Sequence, residues 1–165
     1  MSLLVGVVFG IAAVLGACVE DDPPDPDGPT ALVTDIELPG LVEVVACKHS
    51  HEHDLRHVQI FADPKSAELF DDCVLGQNCE DPFPVGSLFV KREYEFEGCK
   101  PEDLTSVTAN LKLEPGALPE GGDWRWQRLD TDLTVVEDGA PVLCLACHED
   151  HCSPPYGHDL HCIPD

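Results

Sequence analysis

Basic residues are scarce in this chain: nine lysines and arginines stand against thirty-two aspartates and glutamates in 165 residues, a formal net charge of −23. Nucleic acid and anionic lipid surfaces repel such a chain, so neither is an expected partner, and solubility is the plain reading of the acidity. Methionine is nearly absent too. Met1 is the only one, which leaves no thioether inside the chain to ligate a metal. Long apolar runs are also missing. The one candidate, residues 3–15, falls short of the ~20 residues of a spanning helix, and acid rather than a stop-transfer pattern follows it. No internal repeat is visible. The length allows one ordinary domain.

What is present sorts into three parts. Residues 1–17 resemble a bacterial lipoprotein signal ending in Leu15-Gly16-Ala17-Cys18, with cleavage before Cys18 and lipid on its sulfur; the usual basic residues at the start are lacking. An uncleaved anchor is the alternative. Residues 18–30 are rich in Asp and Pro, which cannot bury a core and stiffen the chain, so they read as a tether. Residues 31–165 are the expected folded domain. An exported lipoprotein of the periplasm or outer membrane, anchored by its lipid, is the localisation these parts imply.

Nine cysteines in so short a chain argue for an oxidising compartment. The organising stretch is Cys144-Leu145-Ala146-Cys147-His148, the attachment sequence of a c-type haem. Two thiols one helical turn apart can each add to a haem vinyl group, and the next residue offers imidazole to the iron. A disulfide or half of a zinc site would use the same Cys-x-x-Cys. With Cys18 lipidated and Cys144 and Cys147 on haem, six cysteines remain for three disulfides. Fifteen connectivities are open; Cys73 with Cys79 and Cys152 with Cys162 are the shortest closures. The absence of an internal methionine excludes a His/Met electron carrier.

Along the domain, residues 41–46 are apolar and β-branched, a strand or a short entry segment, and 56–62, 87–97, 105–113, 124–128 and 133–136 read as strands. In 87–97, Leu88, Val90, Tyr94 and Phe96 share one face, while Phe89, Lys91 and Glu93 share the other. Asp63 and Pro64 predict the start of a short helix through Phe70. Residues 71–81 form a Cys-rich loop, 141–148 a helix, and the tail from Ser153 has little periodicity. Lys48-His49-Ser50-His51-Glu52-His53 reads as a solvated loop, with adventitious metal binding as the alternative. The fold class is mainly β (α+β), an antiparallel sheet with a few short helices.

Four blocks in order resemble the cytochrome P-460 family and its relatives, the cytochromes c′-beta. They are Val58-Gln59-Ile60-Phe61-Ala62-Asp63-Pro64, Phe83-Pro84-Val85-Gly86-Ser87-Leu88-Phe89-Val90-Lys91-Arg92-Glu93, Gly122-Asp123-Trp124-Arg125-Trp126 and the terminal Cys-x-x-Cys-His. The resemblance implies one covalent haem c on Cys144 and Cys147. It implies a five-coordinate iron on His148 and an open distal face for small nitrogen-containing molecules such as hydroxylamine and nitric oxide. It also implies a redox partner protein and a possible homodimer. By the same resemblance Lys91 falls where oxidising members join a lysine to the porphyrin edge, and Thr108 falls where they carry a proton-relaying carboxylate. Threonine donates a hydrogen bond but is no general base near neutral pH; Asp103 or Glu114 would substitute in another register. Trp124 and Trp126 are candidates to wall the pocket, with core packing the expected role for one. Two readings from other classes stand beside this one. One is a non-haem disulfide-stabilised or zinc-binding lipoprotein using Cys144, Cys147, His148 and His151. The other is a metal-scavenging module on the loop from His49 to His57.

Overall fold

The computed structural model describes residues 28–51, 53–76 and 78–162; the expected signal, Cys18 and most of the tether lie outside them. Six strands follow one another in sheet order: β1 (Val42–His49), β2 (His57–Ala62), β3 (Leu88–Tyr94), β4 (Leu104–Lys112), β5 (Trp124–Leu129) and β6 (Val135–Gly139). Every neighbouring pair is antiparallel, so the sheet is a simple meander. Helix α1 (Pro64–Phe70) follows β2, and α2 (Val142–His151) follows β6. A small ribbon of β7 (Gly157–His158) and β8 (His161–Cys162) ends the described chain. The protein is therefore mainly β with short helices, as its alternation predicts. No helix among the described residues is long and apolar enough to cross a membrane.

Local chemistry explains the boundaries. The Asp63 carboxylate accepts from the backbone N–H groups of Lys65 and Ser66, opening α1, and its second oxygen accepts from Leu88 N at the start of β3. One side chain thus fixes both a helix start and a strand start. After Phe70 the helix widens into a π turn, Asp71–Leu75, where the sequence predicts only loop. β3 ends at Tyr94 rather than residue 97, because the β3–β4 register slips between Glu93 and Tyr94. Helix α2 runs on to His151, and the tail expected to be irregular forms the β7–β8 ribbon.

Both faces of the sheet are covered. Val90, Val107, Ala109 and Leu129 pack on one side with Val33 and Leu38 from the segment before β1. Gln127, 1% exposed, anchors that segment: it accepts from Leu32 N and donates to the Thr30 carbonyl. Phe89, Trp124 and Trp126 face the other side, where Phe70, Phe83 and Leu145 close over them. Alternation is preserved, but the polar members of β4 do not face water. Asn110 and Lys112 are buried on the second side.

Three disulfides staple this frame: Cys47–Cys99, Cys73–Cys79 and Cys152–Cys162. Both expected short closures are present. The third joins the end of β1 to the turn after β3 across 52 residues, a constraint of about 4 kcal/mol in the chain-entropy picture. Among the described residues only Cys144 and Cys147 keep free thiols.

The β7–β8 ribbon is fixed to the sheet by a buried ion pair. Lys112 Nζ lies 2.9 Å from Asp159 Oδ1 and also donates to the Gly122 carbonyl at 2.9 Å. Asp159 Oδ2 accepts from Phe83 N at 2.9 Å. Gly157 permits the ribbon to close: a Cβ there would meet the carbonyl oxygens of His161 and Cys152 at 2.4 and 2.5 Å.

Candidate functional site

Between the second face of the sheet and α2 lies a cavity of about 540 Å³, a size usual for cofactor and small-ligand sites. Its sheet wall is built from alternate residues of successive strands: Val58 and Ile60 on β2, Phe89 and Lys91 on β3, Thr108 and Asn110 on β4. Trp126 continues the wall on β5, while Trp124, fully buried, serves the core. Opposite stand Cys144, His148 and His151, which a helix spaced by four and three residues presents on one face. His53 and Ser50 from the turn before β2, and His161 and Cys162 of β8, complete the lining. Each of the four sequence blocks contributes to this one lining.

His148 is held from two directions. Its Nδ1 donates to the Leu160 carbonyl at 2.7 Å, and its ring meets Trp126 edge-on at 4.7 Å between centroids. Because a carbonyl only accepts, the proton sits on Nδ1 and the Nε2 lone pair is left for a ligand. Burial, more than the Leu160 bond opposes it, lowers the imidazole pKa and keeps the ring neutral, with the Lys91 ammonium acting the same way. The Leu160 carbonyl is itself positioned by the ribbon, through Cys152–Cys162 and the Lys112–Asp159 pair. Cys144 is half-buried, and burial and then Glu137 push its thiol pKa up. That disfavours the thiolate needed to close a disulfide to Cys147.

Lys91 and Thr108 are cross-strand partners in the β3–β4 register, and both line the cavity. Lys91 Nζ pairs with Glu93 Oε1 at 2.7 Å, the two side chains being 16% and 15% exposed. Burial pushes the Glu93 carboxyl up, but Lys91 by charge and hydrogen bond, and Ser106 by a 2.9 Å hydrogen bond, hold it below its ordinary range. Asp103 and Glu114 flank β4 at its two ends and are not part of the cavity lining.

The histidine loop is not merely solvated. His49 and His51 are exposed, but His53 turns inward, its Nδ1 sharing a 2.7 Å hydrogen bond with Ser50 Oγ. Its ring centre lies 6.4 Å from that of His148. Burial, then Lys91, lowers its pKa to about 4, against the raising effect of Glu93. Alternating histidines on a polar stretch carry no sign of which one turns inward, so the sequence does not single out His53. Glu93 was readable as a neighbour of Lys91 on the same strand face. His161 was not: it lies in an aperiodic tail, yet it is packed at 4.3 Å from Phe89 and 4.6 Å from Trp124. Its Nδ1 donates to the Asp159 carbonyl, and its buried Nε2 has no partner. Asn110 Oδ1 and Trp126 Nε1 are likewise buried and unpaired at this cavity.

A zinc tetrad does not assemble from the motif. Among the described residues the ligand atoms that converge, within 4.8 Å, are those of His148, Cys152 and Cys162, and the two sulfurs are spent in a disulfide. In the histidine loop, His49 contacts His51 and His57 by ring edges instead. No protein-family model matches the chain, and no curated protein matches it.

Proposed function

We propose that the protein is an exported mono-haem c-type cytochrome that binds one covalent haem c in this cavity and acts in redox chemistry or in binding small nitrogen-containing molecules. The observation that carries the reading is the state of the motif. Six other described cysteines are bridged; Cys144 and Cys147 are not, and they precede a neutral histidine whose Nε2 is left for a metal. Residues and group fit: the Cys144 thiol and the His148 imidazole line an apolar cavity with unpaired buried polar atoms, and Cys147, outside that lining, is the residue next to His148 on the same helix.

Attachment needs no oxidant. Each thiol adds across a vinyl double bond, forming one S–C bond while its hydrogen goes to the other vinyl carbon. Haem iron held by His148 supplies the electron-transfer or ligand-binding chemistry. Phe89 and Trp126 exclude water, and Trp126 with the Leu160 carbonyl holds the His148 ring. Three disulfides accord with export, and the lipid anchor on Cys18 belongs to the same proposal.

The resemblance adds an oxidising activity and a bond from Lys91 to the porphyrin edge. Lys91 faces the cavity, which supports the placement; the bond itself requires an external oxidant. Proton transfer in such an activity falls to Glu93 or His53 rather than to Thr108, whose hydroxyl can orient a bound molecule from across the register. A homodimer and a redox partner protein remain parts of the proposal.

The test is expression in a host that matures c-type haems, followed by acid–acetone extraction. Haem stays with the wild-type polypeptide and is lost when Cys144 and Cys147 are both changed to serine. A colourless wild type without iron overturns the proposal. A strongly red-shifted reduced Soret band that disappears in Lys91→Ala identifies the lysine bond; its absence in the wild type assigns Lys91 to the ion pair alone.

A further inference from the structure

We propose that His53 is the second axial ligand of the haem iron in the resting protein, so that the distal face is closed by a side chain of this chain and a small molecule reaches the iron by displacing it. The inference rests on the haem reading and deepens it, and it departs from the open face that the resemblance implies.

The distance carries the argument. An imidazole nitrogen bonds a metal at about 2.0–2.1 Å. In a five-membered ring with bonds of ~1.33 Å, each nitrogen lies about 1.1 Å from the ring centre. Two imidazoles on opposite sides of one metal ion therefore have their centres about 6.2–6.4 Å apart. The His53 and His148 ring centres are 6.4 Å apart, with the ring planes inclined by 57°. Twisted planes are compatible with axial ligation on opposite faces, because each ring is free to rotate about its own metal bond.

The hydrogen bonding agrees. In both rings Nδ1 is engaged by an oxygen, the Leu160 carbonyl for His148 and the Ser50 hydroxyl for His53. The carbonyl only accepts and so fixes the proton on His148 Nδ1; the Ser50 hydroxyl can accept from His53 Nδ1–H in the same way, which leaves the His53 Nε2 for a metal. The Ser50 backbone is fixed in turn, its N–H donating to the Arg56 carbonyl at 2.8 Å, and Ser50 is buried. His53 is thus on a braced turn between β1 and β2, with Cys47–Cys99 holding the end of β1 nearby.

His161 is the competing candidate, since its Nε2 is unpaired and buried. It is wedged among Phe89, Trp124 and Trp126, with its ring parallel to the Trp126 indole and no ring contact to His148. That placement suits a hydrogen bond to the edge of a ligand better than an axial bond.

The experiment uses the full chain matured with haem and reads absorption, electron paramagnetic resonance and carbon monoxide binding. The expected wild-type spectrum is low-spin and six-coordinate, and reduced protein binds carbon monoxide slowly. His53→Ala and the bulk-preserving His53→Phe become high-spin, bind carbon monoxide at least tenfold faster, and His53→Ala returns to low spin on adding imidazole. A high-spin wild type that retains haem overturns this inference and leaves the haem reading standing. A low-spin spectrum that survives both His53 changes and is lost in His161→Ala overturns it in favour of His161. A chain without haem overturns the haem reading itself, and this inference with it.

Discussion

Breaking the Lys112–Asp159 pair should undo the site from a distance. Lys112 is 7% exposed and Asp159 13%, and their 2.9 Å contact is the polar link between β4 and the ribbon that carries Leu160. Changing Lys112 to Met leaves the Asp159 carboxylate with the Phe83 N–H as its remaining partner. Changing Asp159 to Asn leaves the Lys112 ammonium facing the Gly122 carbonyl and the Trp124 ring, whose centroid is 4.9 Å away. Removing one partner of a buried pair costs about 3–5 kcal/mol, most of it the stranded charge. The double variant strands neither charge, so it should cost clearly less than the two singles together, with a coupling of about 2–3 kcal/mol. Urea unfolding at neutral pH with disulfides intact measures all three. The singles should also retain less haem, because the Leu160 carbonyl that orients His148 moves with the ribbon. Singles costing under about 1 kcal/mol each, with an additive double, would refute a docked ribbon.

Other perturbations follow from the same frame. Replacing Cys152 and Cys162 by Ser should cost about 3 kcal/mol, and replacing Cys47 and Cys99 about 4, by the loops they close; calorimetry under non-reducing conditions checks the order. Gly157→Ala drives a methyl into the His161 and Cys152 carbonyls and should destabilise the ribbon, read as faster amide exchange at Leu160 and His161. Before haem is attached, His161 is buried neutral with its pKa lowered by burial to about 3 from an unfolded value of 6.5. The unfolded chain therefore binds the extra proton, and stability falls as pH drops from about 6.5 towards 3, by up to about 1.4 kcal/mol per pH unit. His161→Phe should flatten that acid limb in urea titrations at pH 4 and pH 7, and an unchanged slope would mean that the ring is solvated.

The fold was largely legible because its strands alternate cleanly and because Asp63-Pro64 is a chemically unambiguous helix start. What alternation could not say is what the polar face of β4 looks at. Thr108, Asn110 and Lys112 alternate with apolar residues as they would on a wet sheet, yet they face a cavity and a buried ion pair. The same period of two fits either surroundings, so only tertiary packing decides. The Cys-x-x-Cys-His motif could be read because its chemistry depends on local spacing. Glu93 was readable beside Lys91 on one strand face, but His53 and His161 could not be assembled with them from sequence, since they come from a turn and a tail whose convergence depends on the meander order and on disulfides. Leu160 contributes only a carbonyl, which leaves no trace in residue type.

The haem reading stands or falls on Cys144 and Cys147 carrying haem while the other six domain cysteines are bridged. The most direct test is the non-reduced mass of the proteolytic fragment containing Cys144 and Cys147, taken from protein exported by a haem-maturing host. The expected fragment carries one added haem and an intact link between Cys152 and Cys162. A fragment without haem, with Cys144 and Cys147 joined to each other or alkylated as free thiols, would contradict the haem reading.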